Sequence, residues 1–157
     1  MKLIKDNWYH IIAQFDVGDL SSGVPKLWVN GTEIQGLGYS AVGGTATNID
    51  KVKIFLDDGG AMQDLVFWNK LLSSQEISEL YNDGFYVDPS KLLSIKGNIV
   101  SWFKLGYEDL WAAAGFSAGD SISGTVNIPD DVGSNEFTMS AESEFSLMNR
   151  TVSKRTK

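Results

Sequence analysis

The chain has no cysteine, a single histidine and only three prolines, and its basic residues are outnumbered by its acids. Without cysteine there is no disulfide framework, no thiolate metal cluster and no cysteine nucleophile, and cysteine usage assigns no redox compartment. With 13 Lys and Arg against 20 Asp and Glu, the net charge is −7. That balance argues against broad nucleic-acid binding, which needs a basic surface to displace counterions. No apolar run approaches the roughly 18 residues that span a bilayer. Met1 to Asp6 is too short and too charged for a signal peptide, so the expectation is a soluble chain. Also missing are a nucleophile elbow, a phosphate-binding loop, a metalloprotease helix and a dinucleotide fingerprint, and no enzymatic activity is expected.

What remains is rich in glycine and in short apolar runs: 16 glycines in 157 residues, and one stretch with convincing helical spacing. A chain of this length buries roughly 70% of its unfolded surface, enough for a core without staples. The pattern predicts an all-β fold, a two-sheet antiparallel sandwich with one short α-helix, in one domain over residues 1–149 followed by a basic tail over 150–157.

The helix is the best-marked element. Gln63 to Asn69 reads as a strand, and the period then changes. Ser73 followed by Glu76 is a capping-box pair, in which each side chain satisfies a free amide of the first turn. Leu72, Ile77, Leu80 and Tyr81 recur at helical spacing, and Gly84 supplies a left-handed stop. So short a helix is marginal alone and must pack its apolar stripe on a sheet.

Upstream, Trp8 to Asp16 has a continuous apolar middle that suits a central strand, with His10 inside it as a hydrogen-bonded structural residue rather than a catalyst. Lys26 to Ile34 reads as a hairpin with Asn30-Gly31 at its tip, because both turn positions want positive φ. Gly36 to Asn48 is a long loop, Ile49 to Leu56 a strand and Asp57-Asp58-Gly59-Gly60 a turn. Downstream, Gly97 to Gly106, Asp120 to Pro129, Asn135 to Ala141 and Glu144 to Met148 supply further β-like runs. Trp111 to Phe116 fits either a helical turn or an apolar loop. The apolar faces of these elements nominate Trp8, Ile11, Phe15, Leu27, Val29, Val52, Ile54, Leu65, Phe67, Leu80, Val100, Trp102 and Leu105 for the core.

Three of these segments together resemble a known family. Trp8-Tyr9-His10, Leu27-Trp28-Val29-Asn30-Gly31, and Trp68-Asn69-Lys70-Leu71-Leu72-Ser73 with Glu76-Ile77 and Leu80-Tyr81 are similar, in order and rough spacing, to motifs of laminin-G-like, concanavalin A-like jelly-roll domains. They cover roughly residues 7 to 84, about half the chain. Ser101-Trp102-Phe103-Lys104-Leu105 resembles the opening strand of such a domain, yet here it follows the closing helix. The resemblance therefore implies a jelly roll that is either circularly permuted or completed by a strand from a neighbouring subunit.

Domains of this kind are frequent in the structural proteins of phage and virus particles. The resemblance thus implies a non-enzymatic virion component, a capsid decoration or cement-type subunit at the virion surface, whose partners are a capsid protein or copies of itself. The alternative is an extracellular carbohydrate-binding or adhesion module, with Trp28, Tyr39 or Trp111 as the aromatic platform for a sugar ring; for Trp28, packing within the hairpin is the preferred role. A glycan hydrolase is the third reading, kept only for the fold relatives, whose Glu-x-Asp-x-x-Glu signature is absent here. No cofactor is expected. Some laminin-G-like domains hold calcium, for which Asp57, Asp58 and Asp64 are the oxygen donors available, although their spacing matches no defined calcium loop and a solvated acidic turn is preferred.

Charge is segregated along the chain. Arg150, Lys154, Arg155 and Lys157 stand in the last eight residues with no acid among them, and removing that +4 from the total of −7 leaves −11 on residues 1–149. Such a tail is expected to dock on an acidic surface of a neighbour, with a solvated tail as the alternative. Exposed ion pairs contribute about 0–1 kcal/mol each and are screened over roughly 8 Å at physiological salt. Deleting residues 150–157 should therefore reduce incorporation into an assembly at low ionic strength and matter less as salt rises; occupancy unchanged at both would show that the tail is no anchor.

Overall fold

The computed structural model describes residues 3–4, 7–16, 25–36, 62–105, 121–122, 125–140 and 145–146. Among these the chain is β-rich, with strands β1 (Ile11–Gln14), β2 (Lys26–Val29), β3 (Thr32–Glu33) and β4 (Leu65–Trp68), helix α1 (Ser74–Tyr81), and strands β5 (Ile99–Phe103), β6 (Ser121–Ile122), β7 (Thr125–Ile128), β8 (Phe137–Ser140) and β9 (Phe145–Ser146). The ladders are small and all antiparallel: β1-β2-β3, β4-β5, β6-β9 and β7-β8. Two compact units carry them. One contains β1 to β3 and the segment Lys70–Gly97, and the other contains β4, β5 and the strands that follow.

In the first unit the hairpin forms as expected. Asn30 and Gly31 have φ of 50° and 74°, the positive values of a two-residue primed turn, and Val29 pairs with Thr32 across it. Among the described residues β2 is the middle strand of this sheet and β1 pairs with β2 alone. Register also decides burial. Ile12 opposes Trp28 and both are buried, at 7% and 5% exposure, whereas Ile11 opposes Val29 on the other face and is 56% exposed. Phe15, two pairs of residues further along that outer face, is exposed as well, and so is Trp8. The run Ile11-Ile12-Ala13 has no alternation to fix which face is the core, and a one-residue slip exchanges the two.

The helix follows its sequence signals closely. Ser73 is the N-cap in an extended conformation, its hydroxyl accepts from the Glu76 amide, and the Glu76 carboxylate accepts from the Ser73 amide at 2.8 Å. Lys70 closes the box with a 2.6 Å ion pair to Glu76. That hydrogen bond, followed by the one from the Ser73 amide, holds the Glu76 carboxyl below its usual range. Leu72 and Ile77 occupy the N′ and N4 positions of a hydrophobic staple, and both are buried along with Leu80. The left-handed stop comes earlier than Gly84. Asn82 already has φ 44° and ψ 47°, and its amide returns to the Ser78 carbonyl, because asparagine tolerates that conformation better than most residues other than glycine.

In the second unit β5 pairs with β4 of the same chain, Leu65 opposite Phe103 and Val66 opposite Trp102. Donation of this strand to or from a neighbouring subunit is thereby overturned. The register shifts between Phe67 and Trp68, so that Val100 has no opposite number, and it is 41% exposed while the next residue, Ser101, is buried. A bulge of this kind turns the strand, which is why Val100 leaves the core to which its pattern assigned it. Phe103, Leu105 and Ile128 are buried together, with Met62, Leu65, Phe67 and Phe137 packed against them. Phe103 meets Phe67 edge-on at 6.4 Å and Phe137 at 5.3 Å between ring centres. The β-like runs read between residues 120 and 148 appear here as β6 to β9. Val52, Ile54 and the strand proposed for 49–56 lie outside the described residues, as do the 36–48 loop beyond Gly36 and the 111–116 segment.

The tip of the hairpin tolerates little. A Cβ on Gly31 would come 2.8 Å from Tyr81 Cδ1, and its φ is left-handed. Gly31→Ala is expected to cost about 1–3 kcal/mol in chemical denaturation, from the strained φ and the displaced ring together. A loss under about 0.5 kcal/mol would mean that the turn and Tyr81 part easily.

Candidate functional site

The outer face of the β1-β2-β3 sheet forms an open groove. Antiparallel pairing brings Ile11 beside Val29 and Ala13 beside Leu27, and the Ile34 amide, donating to the Leu27 carbonyl at 2.8 Å, sets Ile34 next in the row. Leu3 closes one side. Its neighbour Ile4 donates its amide to the Tyr9 hydroxyl at 2.7 Å, which holds this short segment against the start of β1. The groove is open, about 420 Å³, and lined by Leu3, Ile11, Leu27, Val29, Ile34, Gln35 and Gly36. Val29 is buried while Leu3 and Ile11 at the walls are more than half exposed, with Ile4 and Phe15 exposed nearby.

The chemistry of this lining is narrow. Among the described residues it offers branched aliphatic side chains, one carboxamide and no acid, base or nucleophile. Such a surface can bury apolar area against a partner but supplies nothing to polarise or attack a bond. Its position was missed in the sequence because Ile11 and Phe15 were assigned to the core; the run Ile11-Ile12-Ala13 has no alternation from which the outer face could be read, and the Asn30-Gly31 turn fixes only which residues of β2 and β3 share a face.

A polar cluster organises the other unit. The Asp130 carboxylate accepts from the Trp102 amide at 2.9 Å, the Val132 amide at 3.1 Å and the Asn135 amide at 3.3 Å. The Asp131 amide returns to the Trp102 carbonyl at 2.9 Å. The edge of β5 away from β4 is thus occupied by this loop. Partial burial works to raise the Asp130 pKa, but the amides of Gly133, Trp102 and Val132 and the Ser101 hydroxyl outweigh it and hold the carboxyl well below its ordinary value. Lys104 pairs with Asp131 at 2.7 Å and lies 4.3 Å above the Trp102 ring.

Of the residues nominated from sequence, Trp28 is buried and presents no free ring face, so it serves packing and not as a sugar platform. Asp64 has φ 51° and accepts the Trp102 indole N–H at 2.9 Å. Among the described residues no group of three or more acidic, histidine or cysteine side chains is placed to hold a metal. Tyr39, Trp111, Asp57, Asp58, Arg150, Lys154, Arg155 and Lys157 lie outside the described residues. His10 is structural through its main chain, while its ring Nδ1 is buried with no hydrogen-bond partner among the described residues. No protein-family model, no curated protein and no solved structure matches the chain.

The Asp130 cluster makes a pH-dependent contribution. A carboxyl whose folded pKa is depressed stabilises fully above its unfolded value, here 3.8, and that stability is lost as pH falls below it. Asp130→Ala should cost about 1–2 kcal/mol at neutral pH, by leaving the Trp102 amide without its acceptor, and should flatten the stability curve below about pH 4. An unchanged acid limb, measured by urea unfolding across that range, would show that Asp130 contributes nothing there.

Proposed function

We propose that this chain is a non-enzymatic structural subunit of a virus or phage particle, a capsid decoration or cement-type protein that binds protein neighbours through the outer face of its β1-β2-β3 sheet. The observation that carries this reading is the open apolar groove walled by Leu3 and Ile11, with exposed Ile4 and Phe15 beside it. Large apolar side chains left exposed along a small sheet favour burial against another protein. The resemblance to laminin-G-like domains supplies the virion setting and the finer fold, a jelly-roll sandwich. Pairing of β5 with β4 in the same chain is consistent with a permuted motif order. The chain's charge fits the same reading, since an acidic body suits a protein partner better than a nucleic acid.

Ile11→Glu is the direct test, because Ile11 is exposed and its charge would sit in the groove wall. Binding to purified particles or to the isolated shell protein should weaken at least about tenfold, roughly 1.4 kcal/mol, while thermal stability stays within about 0.5 kcal/mol of wild type. Undiminished binding would retire the groove as the docking face. Binding of the wild type to a glycan array and not to particles would favour the carbohydrate-binding alternative.

A further inference from the structure

His10 is the chain's single histidine, and the docking face does not use it. Its main chain is bound to the hairpin tip: the amide donates to Asn30 Oδ1 at 2.9 Å, and the carbonyl accepts from the Asn30 amide at 2.8 Å. Its ring lies 6.1 Å from that of Tyr81, tilted by 34°. Tyr81 closes the last turn of α1 and packs its ring under Gly31, leaving no space for a Cβ there. The imidazole therefore stands where the hairpin tip and the end of the helix meet.

Burial at that place favours the neutral ring over the charged one. Nδ1 is buried with no partner among the described residues. In imidazolium both nitrogens are donors, so protonation at either position leaves a charged N–H buried at Nδ1 with no acceptor. Among the described residues, the charged groups of α1 that follow have partners elsewhere. From α1, Tyr81 faces the ring, while Glu76 is turned to Lys70 and Ser73 and Glu79 to Gln75 and Ser94. From the hairpin, Asn30 and Gly31 are uncharged, Lys26 lies 6.0 Å over Trp28, and Glu33 stands opposite Trp28 in the ladder. On its own segment Tyr9 is bonded to Ile4.

We propose that His10 is an acid-sensitive latch: while neutral it lets the Asn30-Gly31 tip close on Tyr81, and on taking up a proton it releases that contact. Desolvation by burial lowers its pKa from the ordinary 6.5, in keeping with this geometry. The folded state then binds the proton less readily than the unfolded state. Stability is complete above pH 6.5 and is lost as pH falls from there towards the lower folded value. Asp130 acts in a separate window below 3.8, so the two effects are distinguishable.

The test combines a titration, an exchange measurement and a variant. Proton NMR of the full chain should show the His10 ring titrating below 6.5, and exchange of the Asn30 amide should accelerate as pH is lowered from about 7.5 to about 5, after correction for intrinsic exchange. Over the same range the wild type should lose several degrees of thermal stability, and His10→Gln, neutral throughout, should lose less than about half as much. A ring that titrates at or above 6.5, an Asn30 amide whose protection does not change, or a variant with the wild-type pH profile would each overturn the latch. Should His10→Gln not fold, the wild-type titration and exchange decide the question by themselves.

Discussion

A side-chain carboxamide takes the place of a peptide group at the point on which the first unit depends. Gln14, the last residue of β1, donates from Nε2 to the Leu72 carbonyl at 3.1 Å and accepts the Leu72 amide on Oε1. Leu72 immediately precedes the N-cap of α1, so this pair fixes where the helix begins relative to the sheet. The far end is held by His10 and Gly31 against Tyr81. The spans agree: from His10 to Gln14 is roughly 13 Å at a strand rise of about 3.3 Å, and from Leu72 to Tyr81 roughly 13 Å at a helical rise of about 1.5 Å. Helix and strand run in opposite directions, clamped by a polar contact at one end and an aromatic one at the other. An eight-residue helix, too short to persist alone, is stable in this setting because its capping box, its staple and this clamp act together.

The same clamp decides which side of the sheet is free. With His10 and Gln14 directed to the helix, the alternate residues Ile11 and Ala13 fall on the opposite face, together with Leu27, Val29 and Ile34. Apolar side chains on both faces are what a strand covered on both sides would carry. Here one set is buried with the helix and the other walls a groove, and the proposed docking function follows from that division.

In the second unit the corresponding constraint is a carboxylate. Asp130 gathers main-chain amides from its own turn and from β5, and so closes the strand edge that an incoming chain would otherwise extend. Asp64 performs a related task from the other side of Trp102 by accepting the indole N–H. Trp102, buried and bonded at both its main chain and its ring, is held by two acids that acid-rich composition alone would have assigned to solvent or to a cation.

Local chemistry was legible in the sequence wherever the partners are close along the chain. The capping box joins residues three apart, the primed turn needs only Asn30 and Gly31, and the strands after residue 120 announced themselves by β-branched and aromatic runs bounded by turn residues. In each case the energy is set within a few residues, so composition and spacing are sufficient. Tertiary structure alone decided the parity of β1, the outward turn of Val100 at the bulge, and the roles of Gln14 and Asp130, whose partners lie 58 and 28 residues away. A glutamine or an aspartate carries no mark of which distant amide it will meet, and a run of consecutive apolar residues carries no mark of which face will be buried. Those choices are made only when the strands pair and the helix docks, because only then does one set of faces lose its water.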